Sequence, residues 1–390
     1  MGKLKALRIC LSNDEPAYYP GDTVAGSCEV EISEGEFSFR SLTVVLRGLS
    51  RVHWTESKNV GARLGPYTQH FMSDSEYLRE RKILTQARMG ADRVTLREGT
   101  YQFPFSFILP AGTMPSSFEG KYGTTRYWLR AELKRVRARH DTRTKKTIIF
   151  LNPINVTLAE YQEPIESVAD KTLCCGFCTG GHISISAHTD KSGYTPGDTI
   201  ALSAQFENFT SRRLQPTAAL YQRQYYYAND RQKMRTIQLV KFQGQRLSSK
   251  CNSSWSNEHL TIPNVTPSIL TCGILRVVYF VKISLKIPGA MKLSTIMPVT
   301  IGSTRLLTGC TAGGMPHILT PPPYQDDRDV PAYDYSTSDE DEDYRQPPSS
   351  RSHTPPPCYS DIFDSDDDSD EVDGSMGGSP VSEENIITML

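Results

Sequence analysis

The stretch Tyr194-Thr195-Pro196-Gly197-Asp198-Thr199-Ile200 repeats, 176 residues later, the pattern of Tyr18-Tyr19-Pro20-Gly21-Asp22-Thr23-Val24. Proline holds its φ angle at about −65° and glycine takes a positive φ without strain, so each copy fits a type II turn. Apolar residues recur at alternate positions on both sides of each turn: Leu7, Ile9 and Leu11, then Val24, Cys28 and Val30, and again Ile183, Ile185 and Ala187, then Ile200, Leu202, Ala204 and Phe206. A period of two predicts half-buried strands. We therefore predict a chain built from two copies of one β design.

The charge of the chain is divided between a basic body and an acidic tail. Residues 320–390 hold 19 Asp and Glu against three Arg, a net charge of −16, whereas the residues before them carry a net charge of +15. Only eight of those last 71 residues are Leu, Ile, Val or Phe. Such a composition cannot offset the entropy lost on folding, so we predict disorder from about residue 309.

The sequence shows no sign of membrane insertion or secretion. Its most apolar stretch, Ile269–Ile287, is interrupted by Arg276, Lys282 and Lys286, and the N-terminus lacks an apolar signal core. We therefore expect a cytoplasmic protein. The nine cysteines are then expected to be reduced thiols rather than a disulfide framework.

Strand signals dominate both halves of the body. The run Tyr101–Leu109 places large apolar residues on one face and Pro104 on the other, which favours an edge strand. Leu109-Pro110, Pro115-Ser116 and Arg126-Tyr127 in the first half are echoed in order by Ile262-Pro263, Pro267-Ser268 and Arg276-Val277 in the second half.

We predict an all-β chain with two sandwiches of the same design. The first sandwich is expected over residues 1–172, the second over residues 173–308 and the acidic, proline-containing tail over residues 309–390. We expect residues 160–180 to link the sandwiches. Residues 57–95 fit a strand or a short helix equally well.

Several short motifs point to one family: Phe103-Pro104-Phe105-Ser106-Phe107, Ser211-Arg212, Leu220-Tyr221-Gln222, Pro267-Ser268-Ile269-Leu270 and Ile287-Pro288-Gly289-Ala290. Over about residues 7–303 the chain resembles the arrestin-domain-containing proteins, the α-arrestins. The resemblance implies two tandem arrestin-type, immunoglobulin-like sandwiches and an adaptor that ties membrane cargo to a ubiquitin ligase. Phosphate-triggered activation is not carried over, because the sequence does not identify the buried charged core on which it depends.

The tail contains two Pro-Pro-x-Tyr motifs, which are the ligand pattern of WW domains. They are Pro321-Pro322-Pro323-Tyr324 and Pro356-Pro357-Cys358-Tyr359. Proline-rich sequence is already close to polyproline II, so binding in an aromatic groove costs little further entropy, and the tyrosine fills a neighbouring pocket. We predict that Pro321, Pro322, Tyr324, Pro356, Pro357 and Tyr359 bind WW domains of HECT-type (Nedd4-like) ligases.

A basic run follows the predicted strand around Tyr127–Leu133. It contains Lys134, Arg135, Arg137, Arg139, Arg143, Lys145 and Lys146. The run is either a solvated strand end and loop or a patch for anionic lipid on the cytosolic leaflet, where each Lys or Arg near the surface contributes roughly 1 kcal/mol. Nucleic acid is not expected, since no module that reads it accompanies the run.

Four cysteines, a cluster of three and the separate Cys251, allow more than one functional interpretation. Cys174, Cys175 and Cys178 lack the second cysteine pair that zinc normally requires, so we interpret them as reduced or palmitoylated thiols. Cys251 resembles the thiol through which the thioredoxin-interacting branch of the family engages its partner. The alternative function is therefore a thiol-regulated protein that binds thioredoxin or a similar redox partner.

The sequence argues against an enzyme. It has no G-x-S-x-G, no Walker loop and no H-E-x-x-H. Its densest acidic runs, Ser338–Asp343 and Ser365–Glu371, lie in a tail too mobile to hold catalytic geometry. We interpret these runs first as charge that keeps the tail solvated. No cofactor and no metal are predicted.

Overall fold

A computed structural model describes residues 3–12, 17–59, 66–87, 92–136, 141–175 and 178–303. These residues form two β-sandwiches, with a single 3-10 turn at Ala159–Tyr161 as the only helical element among them. This agrees with the all-β prediction. The described part of the chain contains no helix long and apolar enough to cross a membrane.

The first sandwich combines a three-stranded sheet of order β1-β2-β6 with a six-stranded sheet. The larger sheet has the order β4-β3-β8-β7, with β5 paired to β3 and β9 paired to β8. The strands are β1 (Lys3–Leu11), β2 (Thr23–Glu34), β3 (Phe37–Asn59), β4 (Pro66–Gln86), β5 (Val94–Leu96), β6 (Gly99–Ile108), β7 (Phe118–Glu119), β8 (Gly123–Arg135) and β9 (Thr142–Ile148).

The second sandwich combines a four-stranded sheet of order β10-β11-β13-β16 with a five-stranded sheet of order β12-β18-β17-β14-β15. The strands are β10 (Glu166–Cys175), β11 (Cys178–Thr189), β12 (Gly193–Tyr194), β13 (Thr199–Asn208), β14 (Gln215–Ala228), β15 (Arg231–Gln243), β16 (Cys251–Thr261), β17 (Leu275–Lys286) and β18 (Leu293–Ile301).

The repeated turn has the same geometry in both sandwiches. Gly21 has φ +83° and Gly197 has φ +93°, as position three of a type II turn requires. In each copy the amide of Asp22 or Asp198 donates to the carbonyl three residues earlier, at 3.1 and 3.0 Å respectively. The same aspartate accepts from that residue's amide through its carboxylate, at 2.9 and 2.8 Å. The aspartate is therefore part of the turn, which explains its recurrence.

Each turn is fastened to the end of a distant strand by an equivalent pair of bonds. Gly21 donates to the Leu109 carbonyl at 3.1 Å, and Gly197 donates to the Ile262 carbonyl at 3.0 Å. The Leu109 and Ile262 amides each donate back to the turn at 2.9 Å. The echo of Leu-Pro by Ile-Pro in the sequence thus marks structurally equivalent positions.

The second pair of matching motifs, Pro115-Ser116 and Pro267-Ser268, is offset by one residue in the structure. Ser117, rather than Ser116, is the counterpart of Ser268. The Ser117 hydroxyl accepts from the Phe150 amide at 3.0 Å, and the Ser268 hydroxyl accepts from the Ile301 amide at 3.0 Å. Phe150 lies two residues after β9, and Ile301 is the last residue of β18, so in both sandwiches the serine contacts the end of the repeat.

Strand β6 is an edge strand, as its proline predicts, because it pairs only with β2. Pro104 lies opposite Ser27 and points to the exposed face. Phe105 and Phe107 point inward and are buried. Large aromatic groups from one face of β6 therefore build the first core.

The two cores are connected through a ribbon that extends from the first sandwich. Beyond Val52, strand β3 pairs only with β4. Trp54 and Phe71 stack across this ribbon, with ring centroids 5.1 Å apart, and join the core of the second sandwich. Tyr122 meets the buried Tyr226 edge to face at 5.6 Å. The ribbon thus gives the two sandwiches a shared apolar contact.

The structure resolves the segment that the sequence left ambiguous and changes the expected linker. Residues 66–86 are strand rather than helix. Residues 166–175, inside the expected linker over residues 160–180, form β10 and pair with β11. Strand β10 therefore belongs to the second sandwich, although it crosses the position between residues 172 and 173 at which we expected that domain to begin.

Candidate functional site

The predicted basic patch lies on strands β8 and β9, but its residues do not share one face. Lys134, Arg143 and Lys145 point away from the sandwich, whereas Arg135 and Lys146 occupy the opposite alternation. The Arg135 guanidinium lies 5.5 Å from the Phe37 ring centroid. Arg137 and Arg139 lie outside the described residues. The structure thus brings together three of the seven predicted residues.

The outward face around those three residues carries charges of both signs. Arg143 bonds Glu132 at 2.9 Å, and Lys145 lies 4.2 Å from the ring centroid of Trp128. Farther along the same six-stranded sheet are the ion pairs Arg47–Glu76 at 2.5 Å, Arg51–Asp74 at 2.8 Å and Arg126–Glu119 at 2.6 Å. Much of the positive charge on this face is therefore neutralised by adjacent carboxylates.

A chain of neutral polar groups lies where the ribbon meets the second sandwich. The Tyr77 hydroxyl lies 3.1 Å from the Cys272 thiol, which donates to the Ser50 hydroxyl at 3.6 Å. Ser50 and Thr125 share a buried hydrogen bond of 2.6 Å. Burial and the Cys272 thiol raise the pKa of Tyr77, so its hydroxyl remains protonated. The network consists of hydroxyl and thiol groups and includes no Asp, Glu, Lys or Arg.

A second row of hydrogen-bonded, uncharged side chains runs along the inward face of β14. The Tyr226 hydroxyl donates to Gln224 at 2.7 Å, Gln224 donates to Gln222 at 2.6 Å, and Gln222 donates to the Tyr279 hydroxyl at 2.7 Å. Tyr279 donates in turn to the Thr266 carbonyl. Because each of these hydrogen-bonded side chains has a partner, two glutamines are accommodated inside an otherwise apolar core.

Two of the short motifs that the sequence singled out meet in space. The Arg212 guanidinium donates to the Pro288 carbonyl at 2.7 Å, and Gly289 adopts φ +69° in the turn that presents this carbonyl. Ser211-Arg212 and Ile287-Pro288-Gly289-Ala290 therefore form one contact between the loop before β14 and the turn after β17.

Comparison with known proteins agrees with this architecture. Residues 7–156 match the family "Arrestin (or S-antigen), N-terminal domain", and residues 179–306 match "Arrestin (or S-antigen), C-terminal domain". The human arrestin domain-containing protein 4 is 33% identical over 303 residues, which are 77% of this chain and 72% of the relative. The human thioredoxin-interacting protein is 32% identical over 314 residues, which are 80% of this chain and 77% of the relative.

The chain belongs to the α-arrestin family. Arrestin-family proteins are scaffolds or adaptors rather than enzymes. The described residues of this α-arrestin contain no group of three or more His, Cys, Asp or Glu side chains placed to hold a metal.

The cysteines of this α-arrestin occupy contrasting environments. Cys251 is exposed at the first residue of β16, where its thiol donates to the Asn252 carbonyl at 3.3 Å. Cys10 is also exposed, whereas Cys28 and Cys272 are buried. The predicted thiols Cys174, Cys175 and Cys178 lie at the β10–β11 hairpin rather than in a free linker, and their side chains are outside the described part of the chain.

The two Pro-Pro-x-Tyr motifs also lie outside the described residues, which end at residue 303. The five-stranded sheet, in contrast, shows a feature that the sequence reasoning missed. None of its five strands contains Asp or Glu, although they contain eight Lys and Arg. Residues 208–303 contain 13 basic residues and only two acids, Asp230 and Glu258. Counting charges along this part of the sequence would have revealed the excess of basic residues.

Proposed function

We propose that this α-arrestin is an adaptor that recruits WW-domain HECT-type (Nedd4-like) ubiquitin ligases to membrane-protein cargo. The recruitment promotes ubiquitination, endocytosis and endosomal sorting of the cargo. The observation that carries the proposal is the pair of Pro-Pro-x-Tyr motifs, at residues 321–324 and 356–359, behind two arrestin domains. An adaptor needs two binding surfaces that can be occupied together, and this arrangement supplies both.

The spacing of the motifs favours binding to one ligase through two WW domains. Their 35-residue separation corresponds to a flexible-chain span of about 30–35 Å. Once the first motif is bound, the second is held at a high effective concentration near a neighbouring WW domain. Pro321, Pro322 and Tyr324 form the first ligand, and Pro356, Pro357 and Tyr359 form the second.

The sandwiches are the part of the adaptor that would contact receptors or transporters. The adaptor would work in the cytoplasm, peripherally at the plasma membrane and at endosomes. The outward basic residues Lys134, Arg143 and Lys145 would add a weak contact with anionic lipid there, since Glu132 already neutralises part of their charge, and their share of the affinity would fall with added salt.

The test is affinity capture from cells, comparing the intact chain with a Tyr324→Ala/Tyr359→Ala variant. We expect a HECT ligase to be captured by the intact chain and lost from the variant, while membrane cargo is retained by both. Tyr333→Ala is the matched control, because Val330-Pro331-Ala332-Tyr333 lacks the first proline. Ligase capture that survives in the double variant would contradict the proposal.

A second candidate function, binding of thioredoxin or a similar redox partner, is favoured by Cys251. This thiol is exposed, and a relative at 32% identity is named thioredoxin-interacting protein. Exposure gives the Cys251 sulfur access to a partner's disulfide: its thiolate would attack the disulfide of an oxidised partner, form a mixed disulfide and release the partner's other sulfur as a thiolate.

Cys10 provides the control for this second candidate, since it is the other exposed thiol among the described cysteines. Incubation with oxidised thioredoxin, followed by non-reducing electrophoresis, should give a mixed disulfide with Cys10→Ser but none with Cys251→Ser. Equal adduct formation by both variants would rule out a specific thiol partnership.

A further inference from the structure

The outward face of the five-stranded sheet in the second sandwich carries a compact group of aromatic and basic side chains. In register across β14 and β17, Tyr221 lies opposite Phe280, and their rings stack at 5.3 Å. The Arg223 guanidinium lies 4.6 Å from the Phe280 ring centroid, and its Nη1 reaches the Tyr225 hydroxyl at 3.4 Å. We call Tyr221, Arg223, Tyr225, Phe280 and Lys282 the aromatic–basic face.

The basic residues of this face have no carboxylate in the strands of their own sheet, unlike the basic residues on the first sandwich. The outward sheet of the first sandwich pairs its arginines with Glu76, Asp74, Glu119 and Glu132. The strands of the second sandwich's five-stranded sheet hold no carboxylate, and five of their eight Lys and Arg lie on the alternation of this face: Arg223, Lys241, Arg276, Lys282 and Lys286. Residues 208–303 as a whole carry a net charge of +11. An anionic partner is therefore attracted more strongly to the second sheet.

The environment of Lys282 reflects this excess of positive charge. Partial burial lowers its pKa, and the neighbouring charges of Lys292 and Arg223 lower it further. An added carboxylate would relieve the repulsion among these three residues. The Arg223 guanidinium also has N–H groups beyond those that reach Tyr225 and Thr236, and these can bond a carboxylate in a charge-assisted geometry.

The chain leaves the second sandwich beside this face. Pro298 in β18 is in register with Phe280, and the described chain ends five residues later. The nearest dense acidic run, Ser338–Asp343, begins 35 residues beyond residue 303 and contains five consecutive acids. By random-coil scaling, 35 residues span about 30–35 Å, which is comparable with the length of the strands. The acidic run can therefore return to the sheet from which the chain emerges.

We propose that the aromatic–basic face binds the acidic run Ser338–Asp343 of the same chain. Carboxylates of the run would bond Arg223 and Lys282, and its flanking residues would lie over Tyr221 and Tyr225. Tethering supplies a high effective concentration, so a weak intrinsic affinity is sufficient. The interaction is electrostatic in origin and therefore sensitive to salt. It requires no binding of a ligase to the Pro-Pro-x-Tyr motifs.

The test uses the full chain and a fluorescent peptide of residues 335–344 as a competitor for the face. In a tail-neutralised chain, Asp339, Asp341 and Asp343 become Asn, and Glu340 and Glu342 become Gln. We expect this chain to bind the peptide at least tenfold more tightly than the unmodified chain at low salt, because the nearest acidic run no longer competes for the face. Equal affinity of the two chains would overturn the proposal.

Charge removal on each sandwich then locates the binding site. Within the tail-neutralised chain, Arg223→Gln/Lys282→Gln should weaken peptide binding at least tenfold. The matched pair Lys134→Gln/Lys145→Gln, which removes the same charge from the first sandwich, should change it less than twofold. Equal losses in the two variants would mean diffuse attraction and would contradict a defined face. If the double variant lowers the unfolding temperature, Lys282→Gln alone provides the comparison.

A membrane surface is the competing partner for the same face. Vesicles of phosphatidylcholine with phosphatidylserine should bind the Arg223→Gln/Lys282→Gln chain as well as its parent if the face serves the tail. Vesicle binding that depends on Arg223 and Lys282, together with no binding of the peptide, would assign the face to lipid and overturn the proposal. Ligase capture through Tyr324 and Tyr359 is read separately and does not depend on either outcome.

Discussion

Gly21 and Gly197 hold the repeated turns in a backbone conformation that favours glycine. A side chain at either position would meet no atom within 4 Å, so the positive φ is the only obstacle to substitution. We predict that Gly197→Ala destabilises the second sandwich by about 1–2 kcal/mol. The control is Gly112→Ala, where a side chain is equally unhindered and φ is not positive.

Thermal unfolding of the full chain measures this prediction. The midpoint of the second sandwich should fall by about 2–6 °C in Gly197→Ala, given the usual sensitivity for domains of this size. Gly112→Ala should leave the midpoint near its original value. An unchanged midpoint in Gly197→Ala would show that the type II geometry contributes nothing to stability.

Burial makes Cys28 a poor nucleophile. The pKa of its thiol is raised to about 12, first by burial and second by the nearby Cys10 thiol. The thiolate is the reactive species, so iodoacetamide at pH 8.5 should modify Cys10 and Cys251, both exposed, and leave Cys28 intact. Peptide mass spectrometry measures the outcome, and all three cysteines should react in urea. Modification of native Cys28 at the rate of Cys251 would contradict the buried placement.

The same shift makes a small contribution to alkaline unfolding. Above a pH of about 8.5 the unfolded chain loses the Cys28 proton, whereas the folded chain keeps it until about 12. The folded state then binds more protons, so this contribution to stability is complete below about pH 8.5 and is lost as the pH rises toward 12.

Among the elements, the edge strand β6 contributes some of the largest side chains of the first core. Phe107 is fully buried and lies 6.0 Å from Phe105, centroid to centroid. We predict that Phe107→Ala costs about 3–5 kcal/mol of unfolding free energy, because transfer and cavity effects add. Phe209→Ala, at a side chain that is 54% exposed, should change stability by about 0.5 kcal/mol or less. Denaturant titration compares them, and similar midpoints would contradict the assignment of β6 to the core.

The elements also show which features of this fold can be predicted from sequence. The turns and β6 follow from Pro, Gly and strict alternation of period two. Strand β4 does not, because Glu80, Arg81 and Lys82 interrupt its alternation where both faces are largely exposed. Strand β10 resembles a linker in sequence for the same reason, since its apolar residues are few. Pairing with neighbouring strands, rather than local propensity, determines both.

The predicted basic patch shows a different limit of prediction from sequence. Closeness in sequence suggested one surface, but consecutive strand residues point to opposite faces, so Lys134 and Arg135 separate, as do Lys145 and Lys146. The alternation alone would have indicated this split. The aromatic–basic face, by contrast, requires the register of β14 with β17. The contact of Tyr77 with Cys272 joins residues 195 positions apart, and no local pattern encodes it.

Across the whole molecule, the contact between the sandwiches is closely packed around Tyr226. A side chain at Gly120 would lie 2.4 Å from the Tyr226 hydroxyl and 2.6 Å from the Phe118 ring. We predict that Gly120→Ala displaces Tyr226 and loosens the contact. Hydrogen exchange of residues 50–54 and 224–228 should become at least tenfold faster. Gly112→Ala should leave this exchange unchanged, and unaltered protection in Gly120→Ala would contradict the tight contact.

The central claim is that the tail is the ligase-docking element. Isothermal titration of the full chain against a tandem WW fragment of a HECT ligase tests it most directly. Tyr324→Ala or Tyr359→Ala alone should leave residual affinity, whereas the double variant should lose the avidity that tethering provides. Phenylalanine at either position should cost less than alanine, because the ring fills the pocket. Unchanged tandem affinity in Tyr324→Ala/Tyr359→Ala would contradict the claim.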